Sequence, residues 1–515
     1  MAITELPAPV TRPPAPPAGL DVVALERDLA ERVDGEVRFD AGSRGAYSTD
    51  ASNYRQVPIG VVVPRTVDAA VAAVAVCRDH RAPLLSRGGG TSLAGECTNT
   101  AVILDWSKYC HRLLGVDHEA GTCVVEPGIV LDHLNDQLRP YGLEYGPRPA
   151  THNHCTLGGM IGNNSCGATA QRTGKVVDNI VRLEVLCYDG TRMWVGETGD
   201  EDYRRVLAEG GRPAEIYRQL RELADRHGDE IRRRYPDIPR RVSGYNLDSL
   251  LPEQGFHLAK ALVGSESTCV TVLRAELKLV PLVEAKTMVV LGYPDVAAAA
   301  DAVPRIVEHA PIALEGLDDR LVTFQKEKHL NPDALKLLPE GAGWLMVQFG
   351  GDSTEDADAR AEAMLEELDR TEHEPTVKFY DDPGREQEMW EVRESGLGAT
   401  AHVPGMPDTW PGWEDSAVAP ERLGDYIRAL QGLYDEFGYG RPSLYGHFGQ
   451  GCLHTRIPFD LVTAAGVERF RRFVEQAADL VVAYGGSFSG EHGDGQARGE
   501  LLPEGAGWLM VQFGG

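Results

Sequence analysis

The sequence predicts an α+β protein made of two consecutive mixed units, and three observations support this prediction. Apolar strand-like runs alternate with helical runs from about residue 55. Near residue 284 the order changes to strand, helix, strand, strand, helix, strand, the ferredoxin-like order of a sheet with helices on one face. The 515 residues are too many for one core of ordinary size, so two or more domains are expected.

Local patterns predict the elements of the first unit, which extends to about Pro281. IGVVVP is a strand, and Thr66 then caps an Ala- and Val-rich helix, TVDAAVAAVAVCRDH. APLLSR, AVILDW and TCVVEPG are further strands. RLEVLCY and TRMWVG form a hairpin through Asp189 and Gly190, because Asp-Gly is a favoured two-residue turn.

The second unit has four predicted strands, TMVVLGY, IALEGLDD, WLMVQFG and TVKFYDD. Its two predicted helices are PDVAAAADAVPRIVEH and STEDADARAEAMLEELD. Beyond residue 385 the chain is expected to become helical, with MWEVRES, PERLGDYIRALQGLYDEF and GVERFRRFVEQAADLVVAYG separated by glycine-rich loops.

Composition excludes several classes of partner. Lys and Arg number 51 against 78 Asp and Glu, a net charge of −27 without a basic block, which argues against nucleic acid and anionic membranes. An anionic ligand must therefore meet a local positive field. The sequence shows neither a membrane-spanning apolar run nor an export segment, so the cytoplasm is the expected compartment. The nine cysteines lie far apart without a CxxC pair, which predicts reduced, mostly buried thiols.

Two glycine-rich segments are candidate cofactor loops. SRGGGTSLAG places three glycines directly after a strand, where successive backbone N–H groups can converge on phosphate oxygens. It is neither a Rossmann fingerprint nor a P-loop, and a flexible loop is the alternative. GPRPATHNHCTLGGMIGNNSCGATA has few bulky side chains, as expected of backbone lying against a flat cofactor. A polar surface loop is the alternative there.

The segment YGHFGQGCLH contains two histidines that could share a site. His447 and His454 are seven positions apart, which would place them on opposite faces of a continuous strand. Only a turn through Gly449 and Gly451 brings both imidazoles to one point.

The segment SGEHGDG supplies a carboxylate and a third imidazole. With Glu491 the two histidines would form a three-ligand site with open positions, typical of catalytic zinc and related divalent metals. His492, adjacent but expected to point elsewhere, is the candidate base. Hydrogen-bonded loop histidines without a metal are the alternative.

In WEVR, Trp390 and Arg393 lie on one helix face. Arg393 at a pocket could bind a substrate carboxylate through two hydrogen bonds and supply the local positive field. A solvated surface arginine is the alternative.

Six ordered motifs resemble one known family. PRTVDAAVAAV, RGGGTSLAG, VEPGIVLDHLNDQL, TLGGMIGNNSCG, LEVLCYDGT and ALVGSEST are similar to the PCMH-type FAD-binding domain of the vanillyl-alcohol oxidase superfamily, over roughly residues 50–285. The closer resemblance is to its FAD-linked D-2-hydroxyacid dehydrogenases, of the D-lactate, glycolate and D-2-hydroxyglutarate type. It extends to the N-terminal half of longer fusions with iron–sulphur modules. It implies a two-part PCMH-type FAD-binding domain, a ferredoxin-like cap domain and a helical C-terminal segment.

The resemblance also assigns residues to cofactors. It implies that the first glycine loop holds the FAD pyrophosphate and that TLGGMIGNNSCG runs along the flavin. The implied FAD-binding residues are Arg87, Gly88, Gly89, Gly90, Thr91, Ser92, Gly95, Thr156, Leu157, Gly159, Gly162, Asn163, Ser165, Cys166 and Gly167. The motifs GHFGQGCLH and GEHG imply His447, His454 and Glu491 as ligands of a divalent metal, with zinc expected, and His492 as the base. The pattern W-x-x-R implies Arg393 at the substrate.

Three departures from the family pattern bear on these assignments. Thr91 stands where some superfamily members attach FAD through a His, so non-covalent FAD is expected. Ser267 replaces a Gly in GSEST, which bears on the local backbone conformation. Cys452 replaces an Asn near His454, which changes the expected surroundings of that ligand.

The expected reaction is oxidation of a small D-2-hydroxy acid to the 2-oxo acid with FAD as the hydride acceptor. The metal and Arg393 are expected to hold the acid while His492 takes the hydroxyl proton. The expected electron acceptor is an iron–sulphur module, a quinone or a cytochrome rather than NAD, and a homodimer is left open. The alternatives are an inactive FAD-binding fragment and an FAD oxidase of another alcohol, such as an aldonolactone. Leu397 and Trp413, near Arg393, leave the chain length of the acid open.

The stretch LLPEGAGWLMVQFGG occurs twice, at residues 337–351 and 501–515. Two identical copies do not make a repeat array, and the preferred interpretation is a splice that truncated a longer enzyme. The second copy is expected to pack poorly or to add to a sheet edge. The expected domains are a disordered lead-in (1–20), the FAD-binding domain (21–283), the cap (284–455), a segment returning to the FAD-binding domain (456–503) and the duplicated tail (504–515).

Overall fold

A computed structural model describes residues 17–368 and 374–502 of the chain. The architecture is α+β, as predicted. The expectation for the lead-in falls mostly outside the described residues, and the expectation for the tail falls entirely outside them. No helix within the described ranges is both long enough and apolar enough to cross a membrane.

The strands, in chain order, are β1 (Gly35–Arg38), β2 (Gly60–Pro64), β3 (Leu84–Arg87), β4 (Val102–Asp105), β5 (Leu113–Asp117), β6 (Thr122–Val125), β7 (Leu143–Glu144), β8 (Ile180–Leu186), β9 (Arg192–Gly196), β10 (Thr271–Lys278), β11 (Val280–Pro281), β12 (Ala285–Tyr293), β13 (Ala313–Asp318), β14 (Gly343–Gly351), β15 (Thr376–Tyr380), β16 (Asp415–Ala417), β17 (Leu444–Gly446) and β18 (Cys452–Thr455).

The α-helices are α1 (Val22–Arg32), α2 (Ala41–Ala46), α3 (Val67–Asp79), α4 (Leu131–Leu138), α5 (Leu157–Asn163), α6 (Ala170–Thr173), α7 (Asp200–Glu209), α8 (Gly211–Arg234), α9 (Leu258–Leu262), α10 (Val296–Val307), α11 (Asp319–Glu327), α12 (Thr354–Leu368), α13 (Pro383–Glu394), α14 (Gly396–Thr400), α15 (Leu423–Phe437), α16 (Ala464–Ala483) and α17 (Gly495–Arg498).

The first sheet has the order β1-β2-β4-β3, with β2 and β3 parallel to β4. Its strands β2 and β4 are buried along their whole length, as continuous apolar runs require. The Thr66 hydroxyl accepts the Ala69 N–H at 3.1 Å and so begins α3, as predicted. Because β3 ends at Arg87, the three consecutive glycines lie at the end of a half-buried parallel strand.

The second sheet is antiparallel, with the order β5-β6-β10-β8-β9. Strands β8 and β9 form the predicted hairpin, whose turn contains Gly190 with a φ of +96°. Helix α5 buries Leu157, Met160 and Ile161 in the core of this sheet. This packing brings the opposite side of α5, with Gly159 and Asn163, to the boundary with the second unit.

The third sheet has seven strands in the order β15-β12-β14-β13-β17-β18-β16. Its first four strands have the 4-1-3-2 order of a ferredoxin-like unit, which confirms the predicted pattern. Strand β14, the first copy of the repeated stretch, pairs with β12 over nine residues and with β13 on its other side. The three short strands β16, β17 and β18 extend the sheet, whereas the sequence predicted only helices and loops there. Strands of three or four residues in glycine-rich segments carry too little periodicity to be recognised.

The segment after α16 contacts the first unit. The Gln496 side-chain amide donates to the Gly95 carbonyl at 2.7 Å, and the Gly244 N–H donates to Asp494 at 2.7 Å. Glu266 accepts the N–H groups of Asp494 and Gly495. The motif SGEHGDG is therefore fixed between the two units.

Candidate functional site

A cleft lies between the two units. Both glycine-rich segments line one side, and α13, β13 and the turn between β17 and β18 line the other. A second cavity shares Gly88, Thr156, Gly159 and Asn163 with the first and extends toward β10. The shared lining residues show that the two cavities are adjacent.

The two glycine-rich segments pack directly against each other. A Cβ on Gly88 would collide with the Thr156 hydroxyl, and one on Gly89 would collide with the His154 carbonyl. Gly90 has a φ of +68°, which favours glycine. Glycine is therefore required for the contact between the loops as well as for close approach of a ligand to the backbone.

Eleven of the predicted FAD-binding residues line one cavity or both. They are Arg87, Gly88, Gly89, Gly90, Thr91, Ser92, Thr156, Gly159, Gly162, Asn163 and Ser165. The Arg87 guanidinium is already engaged, because it donates to the carbonyls of Tyr47, Thr49 and Cys97. Arg87 therefore holds the loop in place rather than presenting a free cation to phosphate.

Four predicted FAD-binding residues do not line either cavity, and their role stays a prediction. Leu157 and Cys166 are fully buried in the core, where apolar side chains are most stable. Gly95 packs against Tyr54, and Gly167 contacts Glu491 instead.

The cavity walls fit FAD. The hydroxyls of Ser86 and Thr156 and the Oε2 atom of Glu96 are buried, line the second cavity, and have no hydrogen-bond partner among the described residues. Such buried polar atoms are expected to meet a polar ligand. Burial and the neighbouring Glu266 raise the pKa of Glu96 well above its usual value, which favours the neutral carboxyl.

Three imidazoles converge on one carboxylate oxygen. Glu491 Oε1 lies 2.7 Å from Nε2 of His447, 3.2 Å from Nε2 of His454 and 3.6 Å from Nε2 of His492. His447 and His454 flank the turn between β17 and β18, where Gly451 has a φ of +70°. Their ring centroids are 5.2 Å apart. The structure therefore brings the three predicted ligands together.

His492 does not point away from this cluster, contrary to the sequence-based expectation. Its ring stacks on that of His454, with centroids 4.9 Å apart, and its Nδ1 lies 2.7 Å from Glu414 Oε1. Because Glu414 engages Nδ1, the nitrogen that faces Glu491 is Nε2. Burial lowers the pKa of His492, but the charges of Asp415 and Glu414 outweigh burial and hold that pKa well above its usual value.

The donor set fits a divalent metal. Asp415, His454, Glu491 and His492 each offer one ligand atom, and these atoms lie within 4.8 Å of one another. Imidazole nitrogen and carboxylate oxygen are the ligands of catalytic zinc and of related metals. His447 belongs to the same cluster through its contact with Glu491. The sequence-based set did not include Asp415.

Asp415 organises the loop that carries Glu491 and His492. Its Oδ2 accepts the N–H groups of Gly490, Glu491 and His492 at 3.1, 3.1 and 2.8 Å. Burial opposes the charged form, but His492, His454 and Arg498 lower the pKa of Asp415 to about 2. A fixed negative charge at this point orients three consecutive peptide groups.

Glu315 contacts both His447, in the cluster around Glu491, and Arg393, the predicted substrate-binding arginine. Its Oε1 lies 2.7 Å from His447 Nδ1, and its Oε2 lies 2.7 Å from Arg393 Nε. Arg393 is buried, lines the cleft with Trp390, and has its guanidinium 5.1 Å from the centre of the Tyr445 ring. The single helix face predicted for Trp390 and Arg393 therefore faces the cleft.

Leu397 and Trp413, the two residues near Arg393 that bear on the chain length of the acid, lie in different surroundings. Leu397 lines the cleft. Trp413 is fully buried against Phe488, with ring centroids 5.9 Å apart, and does not line it.

Sequence reasoning missed four charged residues of this region. Three of them interrupt apolar or aromatic runs, which is a usable signal for a buried functional group: Glu315 in IALEGLDD, and Glu414 and Asp415 in WPGWEDSAVAP. Arg240 lies in a loop rich in charged residues and carries no local signal.

Three features define a flavoprotein oxidoreductase: the fold, the two facing glycine-rich segments, here called the glycine cradle, and the buried cluster of His447, His454, Glu491 and His492. Models of known families match this chain twice, the FAD binding domain over residues 58–196 and the C-terminal domain of FAD linked oxidases over residues 282–512. The chain belongs to the family of FAD-linked oxidases, which confirms the resemblance.

Named relatives cover most of the chain. A D-2-hydroxyglutarate dehydrogenase of Pseudomonas putida is 29% identical over 484 residues, which are 91% of this chain and 48% of that protein. Glycolate oxidase subunit GlcD of Bacillus subtilis is 26% identical, with 93% and 91% covered. A mitochondrial D-lactate dehydrogenase (cytochrome) of Kluyveromyces lactis is 25% identical, with 93% and 74% covered. The chain spans about half the length of the D-2-hydroxyglutarate dehydrogenases it matches.

Solved structures share the fold. An alkyldihydroxyacetonephosphate synthase matches with a TM-score of 0.60 at 15% identity, over 93% of this chain and 82% of that one. A p-cresol methylhydroxylase matches with a TM-score of 0.61 at 12% identity, over 91% and 89%.

Proposed function

We propose that the protein oxidises a D-2-hydroxy acid to the 2-oxo acid with FAD as the hydride acceptor. The observation that carries this proposal is the convergence of Arg393 and the His447, His454, Glu491 and His492 cluster on the same cleft as the glycine cradle. The names of the relatives, which include D-2-hydroxyglutarate, D-lactate and glycolate enzymes, support the same class of substrate.

In this proposal the substrate carboxylate binds Arg393. A buried guanidinium attracts a carboxylate strongly because little water competes for it. Glu315 and Tyr445 fix the guanidinium by an ion pair and by ring contact, so it loses little freedom on binding. This supplies the local positive field that a chain of net charge −27 needs.

His492 is the proposed base. Glu414 holds its Nδ1, so Nε2 of the neutral ring is the nitrogen that accepts the proton of the substrate hydroxyl. Because the pKa of His492 is raised, activity should increase with pH as this ring loses its proton. The C2–H bond breaks with its electron pair, and a C2=O bond forms as the hydroxyl proton leaves. FAD, when bound, supplies the acceptor for that hydride. A divalent ion held by His447, His454 and Glu491, with zinc the proposed identity, would supply charge stabilisation at the developing alkoxide.

Anaerobic flavin reduction tests the proposal. Protein loaded with FAD is mixed with D-lactate, glycolate and D-2-hydroxyglutarate, with the L enantiomers of the two chiral acids as matched controls, and the visible flavin absorbance is followed. At least one of the three acids is expected to bleach the flavin, and the L enantiomer of a chiral substrate is not. Unchanged absorbance with all three acids, in protein that binds FAD, would contradict the proposal.

Several finer points belong to the proposal. FAD is proposed to bind non-covalently, because Thr91 has no imidazole with which to attach it. The proposed electron acceptor is an iron–sulphur module, a quinone or a cytochrome. The predicted cytoplasmic location, the option of a homodimer and the domain boundaries remain predictions from the sequence.

A further inference from the structure

We infer that Arg240 is a positioning residue for Glu491, through which the first unit of the chain orients the metal-binding carboxylate. The inference rests on the metal site of the proposed function. Arg240 lies in the loop between α8 and α9 and does not line the cleft, so it cannot act on the substrate directly.

The Arg240 guanidinium is fully buried and has three acceptors. Its Nη1 donates to Glu491 Oε2 at 2.8 Å, and its Nε donates to Gln450 Oε1 at 2.8 Å. Its Nη2 donates to the Gly167 carbonyl. All five N–H groups of an arginine are fixed in one plane, so three bonds define the position of that plane closely.

Glu491 uses its two oxygens differently. Oε2 accepts from Arg240 and, at 2.8 Å, from the Gly167 N–H, whereas Oε1 faces the three imidazoles. The carboxylate cannot rotate about its terminal torsion without losing both donors to Oε2, one of which is charged. The first unit thereby selects Oε1 as the oxygen presented to a metal.

The same contacts join the two units. Arg240 and Gly167 belong to the first unit, whereas Gln450 lies in the turn that connects the two predicted histidine ligands. Arg240 therefore supports the carboxylate ligand and the histidine turn at once. Partners of this kind around metal ligands typically change metal affinity by about 10–100-fold.

A role of Arg240 in fold stability alone predicts a different effect of its replacement than a role in positioning Glu491. If Arg240 only stabilises the fold, its replacement should weaken FAD and metal binding together, because a buried ion pair is lost. If Arg240 positions Glu491, metal affinity should fall while FAD stays bound, because Arg240 itself lines neither cavity.

The test measures zinc affinity in the full-length protein loaded with FAD, by competition with a chromophoric chelator. The variants are Arg240→Gln and Arg240→Lys, and the matched control is Arg241→Gln. Arg241 is the next residue but pairs with Asp248 at 2.6 Å and touches none of the three acceptors of Arg240. We expect Arg240→Gln to weaken zinc binding by about 10–100-fold, Arg240→Lys to be intermediate, and Arg241→Gln to match the wild type. Bound FAD should be unchanged in all of them.

The outcomes separate the inference from the proposed function. Equal zinc affinity in the wild type, Arg240→Lys and Arg240→Gln overturns the role of Arg240 and leaves the proposed function intact. Parallel loss of FAD and zinc overturns it as well, in favour of a structural role. If the wild type binds no zinc, manganese or cobalt, both the metal assignment and this inference are wrong. Arg240→Lys keeps the charge, so it carries the test where Arg240→Gln does not fold.

Discussion

His492 Nδ1 lies 2.7 Å from Glu414 Oε1, and this contact leaves Nε2 as the nitrogen that faces the cleft. The Glu414 charge also raises the pKa of His492. Removing that charge by Glu414→Gln should lower the pKa of His492, so the ascending limb of the kcat/KM profile should move to lower pH. The maximal rate should fall by roughly 100-fold, because the imidazole is no longer oriented.

The pH profile of flavin reduction checks this expectation, with Glu421→Gln as the control on an exposed carboxylate of the same unit. An unchanged limb in the Glu414 variant would mean that His492 is not the group titrating.

Metal removal should abolish turnover without releasing FAD. The ligand cluster and the glycine cradle are formed by different residues, so a chelator acts on one without the other. Dialysis against chelator should remove the ion and most activity, and added zinc should restore both. His454→Ala should behave like chelated protein, whereas His402→Ala, an exposed histidine, should remain active. Full activity in metal-free protein would contradict the metal role.

Arg393→Lys should raise KM for the hydroxy acid more than it lowers kcat. Lysine keeps the charge but loses the planar pair of donors that matches a carboxylate. Loss of one charged hydrogen bond, worth about 1.5–3 kcal/mol, corresponds to roughly 10–100-fold in kcat/KM. Steady-state kinetics with a dye acceptor measure this. Arg385→Lys, on the exposed face of the same helix, is the matched control, and equal effects of the two would exclude a carboxylate role for Arg393.

Gly88→Ala should weaken FAD binding. The new methyl group would collide with the Thr156 hydroxyl, so the two loops must separate or Thr156 must rotate, at a cost of about 1–3 kcal/mol. FAD affinity should fall by roughly tenfold or more, measured by flavin fluorescence during titration. Gly45→Ala, at an exposed helical position with open space, should bind FAD like the wild type. Wild-type affinity in the Gly88 variant would show that the loops tolerate separation.

His257 gives the stability a pH dependence that is independent of the active site. Burial and then Lys260 lower the pKa of His257 to about 4, and its Nδ1 caps α9 by accepting the Lys260 N–H. A depressed folded pKa means that this stability is present above the unfolded value of about 6.5 and is lost as the pH falls toward 4. The loss is at most about 3 kcal/mol.

Chemical denaturation at several pH values measures that loss. His257→Asn keeps a capping side chain but does not titrate, so its stability should change less between pH 7 and 4 than that of the wild type. Parallel curves for the two proteins would rule out His257 as the source.

Most of the fold could be predicted from the sequence, because the spacing of apolar residues in a long segment indicates whether it is a helix or a strand. The helices α3, α10 and α12 and the strands of the ferredoxin-like unit follow from apolar spacing and from caps such as Thr66. The short strands β16 to β18 could not be predicted, because they exist through pairing with β13 and with each other. Local sequence does not encode such long-range pairing.

The site shows the same division. The sequence motifs allowed His447, His454 and Glu491 to be predicted as one cluster, from their residue types and spacing. They did not predict the direction in which His492 points. That direction depends on Glu414, 78 positions away in sequence. Arg240 and Glu315 could not be predicted from the sequence for the same reason, since each acts through a contact with a distant segment.

At Ser267 the sequence did indicate where to look, because a serine stands there in place of the family's glycine and the backbone conformation was therefore in question. Its φ of +61° shows that a serine takes the left-handed conformation there.

His454 stands opposite Tyr445 in β17 and opposite Asp415 in β16, so hydrogen-bond register alone decides which way its ring points. One residue added to or removed from the turn before β18 would send that imidazole to the reverse face of the sheet, even with every side chain retained. The number of residues in this turn, more than their identity, should therefore decide whether the site can form. Natural or engineered diversity in the turn should tolerate exchange of residues far better than insertion or deletion.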